Sequence, residues 1–301
     1  MQVYNGINDN NKDLSVALGF FDGIHLGHSA VLNSAVSYAK SNNLKSAVLT
    51  FENHPKCYFT GCEPQYIISK QEKLTLFESF GIDYVYFLKF DEGLSKLKAD
   101  EYLEFLNKNL KPKAIFTGFN HTFGSNREGN SEFLDKNQTK YGYEYFKIPP
   151  VKVDGSVVSS SVIRENLKSG NIESVNKMLS RKYSLKGIVI EGEKIGRIIG
   201  FRTANLLYPK HLLNISRGVY SVEVQHKGRE FRAIANFGMR PSLANTNIPI
   251  LEVHILNFDE DIYGDELTVR FIKKIRDEKK FNSLDELKAQ IKKDIGEVEI
   301  L

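Results

Sequence analysis

The feature that most restricts the fold of this chain is a change of hydrophobic rhythm near residue 180. Up to residue 150, short apolar runs alternate with stretches whose apolar residues recur at helical turn spacing. The strand-like runs are 14–19, 45–51, 84–90, 114–118 and 143–148, and the helix-like stretches fall around 29–44, 71–80, 99–110 and 131–141. Strands separated by helix-length crossovers predict an open parallel α/β sheet. Two short helical pieces, 160–169 and 172–179, close this part. Beyond Ser180-Arg181-Lys182-Tyr183, β-rich runs follow at 185–191, 218–224, 231–237, 250–258 and 266–273. Gly, Asn and charged turns divide them, and no long helix intervenes, which predicts an antiparallel barrel. Near the end, Ser283 is placed to cap a last helix, with Glu286 three residues later to complete a capping box. The predicted organisation is a Rossmann-like α/β domain over 1–180 and an antiparallel β-barrel with a terminal helix over 181–301.

Composition agrees with two soluble domains. A length of 301 residues, 41% hydrophobic and 26% charged, suits two ordinary globular cores. The net charge of +4 is spread along the chain, so no duplex-binding footprint is indicated. No apolar run approaches the ~20 residues of a membrane span, and the opening residues lack the basic-then-apolar form of a secretory signal. Cys57 and Cys62 are the only cysteines and are not spaced as CxxC. Two reduced thiols in a cytoplasmic protein are the expectation.

The densest chemical signal is Gly19-Phe20-Phe21-Asp22-Gly23-Ile24-His25-Leu26-Gly27-His28, which follows the first apolar run and precedes a helical pattern. Two histidines three apart at a helix start share one face of its first turn. Gly27 between them lets a ligand approach the backbone. The free N–H groups and positive dipole end of that turn favour an anion. Such a site suits a triphosphate and needs no protein nucleophile. The plain alternative, two surface histidines on a tight turn, is weakened by the strand before and the helix after.

This segment resembles the first motif of the nucleotidyltransferase superfamily in its flavin-specific form. With further motifs in the expected order, the chain resembles the prokaryotic bifunctional riboflavin kinase/FMN adenylyltransferases (FAD synthetases) over nearly its whole length. The resemblance implies phosphorylation of riboflavin to FMN by ATP in the barrel and adenylylation of FMN to FAD in the α/β domain, with Mg²⁺ at both sites. In the α/β domain it makes His25 and His28 the catalytic, phosphate-holding pair and places Phe21, Asp22 and Gly27 at the ATP. Asp22 would either fix the turn or lie near the metal. His54, in Thr50-Phe51-Glu52-Asn53-His54-Pro55, matches a position near the phosphates; alone, it reads equally as a loop histidine. Gly118-Phe119-Asn120-His121-Thr122-Phe123-Gly124, with Arg127 and Gly129, resembles the family's GxNFxFG segment. It implies a nucleotide or flavin contact for Asn120 and flavin contacts for Phe123 and Arg127. His121 stands where the family has an aromatic. Ser159-Ser160-Ser161-Val162-Ile163-Arg164 resembles SSTxIR, and Ser160, Ser161 and Arg164 would form a second phosphate cradle.

In the barrel, the segment from Gly192 to Asn205 resembles the flavokinase stretch ending in GFPTAN. Gly192 and Gly196 would let backbone N–H groups face a phosphate, and Thr203 and Asn205 would hold Mg²⁺ and phosphate oxygens. Asn236-Phe237-Gly238-Met239-Arg240-Pro241-Ser242 resembles NxGxRPT, and Leu251-Glu252-Val253-His254-Ile255-Leu256-Asn257-Phe258 resembles LEVHLLDF. The attacking phosphate of FMN is already largely ionised, its second pKa being about 6. The riboflavin hydroxyl is a neutral alcohol and benefits from a base. Glu252 matches the family's base, and Arg276 and Phe281 match flavin-side positions. Arg202, Met239 and Asn257 depart from the family pattern, Arg202 standing at a proline. An adenylyltransferase with a weakened kinase is therefore a second reading, and a flavin- or nucleotide-sensing regulator without turnover is a third. The expected partners are ATP, riboflavin and FMN, without nucleic acid or membrane, for a monomer or weak self-associate.

Overall fold

The apolar run ahead of the histidines is the buried centre of a parallel sheet. The structure, a computed structural model, describes residues 1–7, 13–62, 65–192, 200–241 and 247–299. The chain divides into two units, Met1–Ser160 and Ser161–Leu301.

The first unit contains, in order, β1 (Gln2–Asn5), β2 (Leu14–Leu18), α1 (Leu26–Ser41), β3 (Lys45–Phe51), α2 (Pro55–Thr60), α3 (Lys70–Ser79) and β4 (Tyr84–Leu88). There follow α4 (Glu92–Lys96), α5 (Ala99–Leu110), β5 (Pro112–Gly118), α6 (Ser131–Lys136), α7 (Gln138–Tyr141), β6 (Glu144–Ile148) and a small hairpin, β7 (Lys152–Val153) and β8 (Ser156–Val157). The sheet order is β1-β4-β3-β2-β5-β6, with every pairing parallel. All five residues of β2 are buried, as expected of a strand covered on both faces. The chain leaves β2 toward β3 on one side and returns to β5 on the other. The order therefore reverses between β2 and β5, where ligands of open α/β sheets bind.

One face of the sheet is closed by α5, whose buried residues Ala99, Tyr102, Leu103, Leu106 and Leu110 keep turn spacing and join the core of Val16, Leu49 and Tyr86. Two details differ from the sequence pattern. The edge strand β1 is short and mostly exposed, so it carries no alternation to read. The expected helix over 131–141 is two short helices, because Asn137 ends α6 and starts α7 with non-helical backbone.

The second unit holds most of α8 (Ser160–Ser169), then α9 (Ile172–Leu179), β9 (Ser184–Ile190), β10 (Ala204–Leu207), β11 (Gly218–His226), β12 (Arg229–Pro241), β13 (Asn247–Ile255), β14 (Glu266–Arg276) and α10 (Leu284–Glu299). Six strands close a barrel in the order β10-β13-β12-β11-β14-β9, all antiparallel. Val222, Ala233, Ala235, Val253, Val269 and Phe271 are fully buried. Strand β10 is four residues long, too short to show an alternation in the sequence.

The units divide twenty residues before the change of rhythm because α9 is tied to the barrel. The Asn176 amide donates to the Phe271 carbonyl (2.9 Å) and accepts from the Tyr183 N–H (2.7 Å). At α10, Ser283 Oγ accepts from the Glu286 N–H (3.2 Å), as the capping box requires. The Glu286 carboxylate reaches back to the N–H of Asn282 (3.0 Å), one residue earlier than the motif predicts. Among the described residues, no helix is long and apolar enough to cross a membrane.

Candidate active sites

The loop after β2 is tightly wound. Phe21 (φ 55°), Gly23 (φ 84°) and Ile24 (φ 38°) all adopt left-handed backbone. For a β-branched residue such as Ile24 this conformation is strained, and strain of this kind concentrates at functional turns. The surroundings hold it. The Asp22 carboxylate, 2% exposed, accepts from the Ile67 N–H at 3.0 and 3.1 Å. Ser160 Oγ donates to the Asp22 carbonyl (2.9 Å). The Phe20 carbonyl accepts from both Thr50 Oγ1 (3.1 Å) and Lys73 Nζ (2.9 Å). Of the two roles open to Asp22, the observed one is to fix the turn.

His25 caps α1, and its Nδ1 accepts the His28 N–H (3.2 Å). That bond leaves the proton of the neutral ring on Nε2. The two imidazoles stack, with centroids 3.7 Å apart and planes 16° apart. Gly27 makes room for this arrangement, since a Cβ there would lie 3.1 Å from His25 Cε1. Burial, then His25 and Lys73, hold the pKa of His28 well below the usual histidine range. His28 is therefore neutral at pH 7, and its Nδ1 is buried with no hydrogen-bond partner among the described residues. Neutral rings at a helix N-terminus can donate N–H bonds to an anion without paired countercharges.

A formal positive charge acts on the pair from Lys73, which lies outside every motif of the sequence. It is 5% exposed, with Nζ 4.3 Å from the Phe20 ring centroid. Burial pulls its pKa to about 8, while the Asp22 carboxylate favours its charge. One signal was present: Lys73 lies four residues before Phe77, and these two are the buried residues of α3. A lysine on the buried face of a helix has a reason to be there.

His54 caps α2 by accepting the Lys56 N–H at Nδ1 (3.1 Å), and its ring meets the edge of Phe20 at 4.5 Å. Beyond it, α2 carries Tyr58 and Phe59, the latter 68% exposed, whose rings lie 5.5 and 5.7 Å from Phe90. Phe119 and Asn120 are exposed after β5, and Arg127 is exposed on a left-handed turn. Phe123 is different: it is 8% exposed, packed against Tyr102 and Phe133, and part of the core. Its ring occupies the space a side chain at Gly129 would need. His121 stacks on Phe123 at 5.9 Å, and burial pushes its pKa down to about 4. It is thus a neutral aromatic at the family's aromatic position. Ser161 and Arg164 lie on α8 in the second unit.

In the barrel, strand register does the assembling. Asn205 on β10 is opposite Glu252 on β13, and Glu252 is opposite Asn236 on β12. Their neighbours Leu206, Leu251, Val253 and Ala235 are buried core residues. Alternation puts the three polar side chains together on the other face. Gly192 packs on this row, for a Cβ there would run into the Asn205 amide. Thr203, exposed, and Asn205 line a cavity of about 180 Å³ with Arg202, Asp259, Glu260 and Asp261. Glu252 is not among the residues lining that cavity. Arg202 pairs with Asp259, and its carbonyl lies 2.7 Å from His254 Nδ1.

The donors around the cavity are carboxylate, hydroxyl and amide oxygens, the set preferred by hard divalent cations. Among the described residues no group of three or more His, Cys, Asp or Glu could form a complete cage. An ion here would share its coordination with substrate phosphate and water, as Mg²⁺ usually does. Gly196 lies outside the described residues. Arg276 binds Asp294, which is 2% exposed, through Nε (3.0 Å) and Nη2 (2.8 Å), and so ties β14 to α10. Phe281 is half-buried, 5.8 Å from the Arg276 guanidinium.

A family model described as FAD synthetase matches residues 7–162, and one described as riboflavin kinase matches residues 179–301. The bifunctional riboflavin kinase/FMN adenylyltransferase of Haemophilus influenzae is 37% identical over 301 residues, covering 98% of this chain and 97% of the relative. The protein of the same description from Bacillus subtilis is 32% identical over 297 residues, covering 93% and 89%. A crystal structure titled as a macrolide-efflux protein from Streptococcus pneumoniae superposes with a TM-score of 0.90 at 30% identity, covering 99% of this chain and 98% of that one.

Proposed function

The chain belongs to the family of bifunctional riboflavin kinases/FMN adenylyltransferases, and from this premise we propose how its residues divide the two activities. The enzyme phosphorylates riboflavin with ATP to give FMN. It then joins FMN to the α-phosphorus of ATP, giving FAD and releasing pyrophosphate. We assign adenylylation to residues 1–180 and phosphorylation to residues 181–301.

At the adenylyltransferase site, His25 and His28 hold the triphosphate through imidazole N–H groups and stabilise charge passing to pyrophosphate. Phe21, Asp22 and Gly27 shape the turn that sets this pair. Ser160 braces the turn from the start of α8, and Ser161 and Arg164 keep the phosphate-holding role that their own motif implies. His54, Asn120 and Arg127 bind nucleotide or flavin. The exposed aromatic rings of Tyr58, Phe59 and Phe119 offer flat faces for the isoalloxazine ring. No general base is needed, because the nucleophile is an ionised phosphate.

At the kinase site, Gly192 and Gly196 admit the phosphates, and Thr203 and Asn205 hold them with Mg²⁺. When bound, the ion neutralises charge on the phosphate oxygens. Glu252 accepts the proton of the riboflavin 5′-hydroxyl as that oxygen attacks the terminal phosphorus of ATP, and ADP leaves. Asn205 and Asn236, on either side of Glu252, hold its carboxylate in place. Arg276 and Phe281 support the flavin side from the base of α10. The observation that carries this division is the register row Asn205–Glu252–Asn236: one unit presents a carboxylate between two amides, the other a stacked pair of imidazoles. We take the partners to be ATP, riboflavin and FMN, the compartment to be the cytoplasm, and the chain to act as a monomer or weak self-associate. The test is to incubate the purified chain with riboflavin, ATP and Mg²⁺ and to separate the flavins over time. FMN should appear first and FAD second; FAD from supplied FMN but none from riboflavin would remove the kinase assignment.

A further inference from the structure

The two cysteines are assigned no part in either reaction, yet the fold brings them together. Cys57 lies in α2, and Gly61 ends that helix in the left-handed conformation (φ 63°), its N–H bonded to the Cys57 carbonyl (2.9 Å). This turn carries Cys62 back over the helix, so that its Sγ lies 2.7 Å from Cys57 Sγ. The pair is accessible: Cys57 is half-buried and Cys62 exposed. Hydrogen bonding with Cys57 and then Thr60, with Lys56 nearby, lowers the pKa of the Cys62 thiol. A soft metal ion is a poor alternative occupant, because no third His, Cys, Asp or Glu completes a ligand group there among the described residues.

We propose that Cys57 and Cys62 form a reversible disulfide, a redox modification site on the helix that begins at His54. The oxidant is a low-molecular-weight disulfide. The Cys62 thiolate attacks one of its sulfurs, forming a mixed disulfide and releasing one thiolate. The Cys57 thiolate then attacks the Cys62 sulfur, forming the internal bond and releasing the second thiolate. Two protein thiols lose two electrons and two protons, and the small disulfide is reduced to two thiols. Little backbone movement is needed, since the sulfurs are already in contact and the ring closes over a left-handed glycine. A bond in so short and exposed a loop is of the labile, regulatory kind, consistent with thiols that are reduced in a reducing compartment.

Oxidation fixes the turn that carries His54, Tyr58 and Phe59. It should therefore slow FMN adenylylation several-fold and leave riboflavin phosphorylation unchanged. This consequence rests on the proposed adenylyltransferase site; the disulfide itself does not. The experiment exposes the full chain to oxidised glutathione and records intact mass and a peptide map. A loss of about two mass units, a Cys57–Cys62 cross-link and reversal by dithiothreitol are expected. Cys57→Ser and Cys62→Ser should each stop at a single glutathione adduct. Adducts on both cysteines of the parent, dimers linked between chains, or no reaction would overturn the site. Both half-reactions are then timed on oxidised and reduced protein, and equal adenylylation rates would overturn the control of activity.

Discussion

Replacing His121 by phenylalanine should make the Met1–Ser160 unit more resistant to acid. The imidazole stacks on Phe123 with its Nε2 buried and without a partner among the described residues, and burial holds its pKa at about 4. In the unfolded chain the same ring titrates near 6.5. Between these values the unfolded state binds a proton that the folded state refuses, so stability falls as pH drops from about 6.5 to about 4 and not further. At about 1.4 kcal/mol per pH unit, the full loss is about 3 kcal/mol, of which about 2 kcal/mol is reached at pH 5. Phenylalanine has no proton to bind and no buried nitrogen to leave unpaired, an omission worth about 1–3 kcal/mol at any pH. His121→Phe should thus be the more stable protein at pH 7.5, and its advantage should grow by about 2 kcal/mol at pH 5. The chain has no tryptophan, so urea unfolding is followed by far-ultraviolet circular dichroism and tyrosine emission. His28, also held neutral, remains in both proteins, and the difference between them isolates His121. A gap that stays constant from pH 7.5 to pH 5 would refute the buried, neutral assignment.

Three further outcomes separate the sites. His28→Ala should lower FAD formation from FMN by about 10²–10³, the usual loss of one transition-state donor, while riboflavin phosphorylation stays within twofold or so. Lys73→Met keeps the bulk but removes the charge and its bond to the Phe20 carbonyl; FMN adenylylation should fall by about 10–100-fold, as for a hydrogen bond to a charged group. Because Lys73 loses its proton near pH 8, parent adenylylation should decline above that pH, and the decline should be absent in the variant. Arg202→Pro should leave riboflavin phosphorylation nearly unchanged, since the ion pair with Asp259 is exposed on both sides and worth about 0–1 kcal/mol. A collapse of phosphorylation in a folded protein would give Arg202 a role of its own.

The parallel layer and the barrel could be read from periodicity because each buries its strands in a regular way. The run 14–19 is apolar throughout because β2 is covered on both faces, whereas β13 alternates because one face is core and the other carries Glu252. What escaped was set by tertiary contact. Lys73 shares a helix face with Phe77, but its place against Phe20 is set by the folded chain alone. Arg276 has the residue type of a ligand contact, yet its observed partner is the Asp294 carboxylate. Phe123 reads as a pocket aromatic but fills the core beside α5. Cys57 and Cys62, five residues apart, meet only because Gly61 turns the chain back. The strand β10 is too short, at four residues, to show a period, although its register sets the kinase row.

The central claim is that one chain separates a reaction needing a base from one that does not. Glu252→Gln keeps the shape of the side chain and its place between Asn205 and Asn236 but cannot take the riboflavin proton. The deciding measurement runs each half-reaction separately on this purified variant. Riboflavin phosphorylation should fall by about 10²–10⁴ with riboflavin binding nearly unchanged, and adenylylation of supplied FMN should proceed at the parent rate. Phosphorylation at the parent rate, or an equal fall in both half-reactions, would contradict the account.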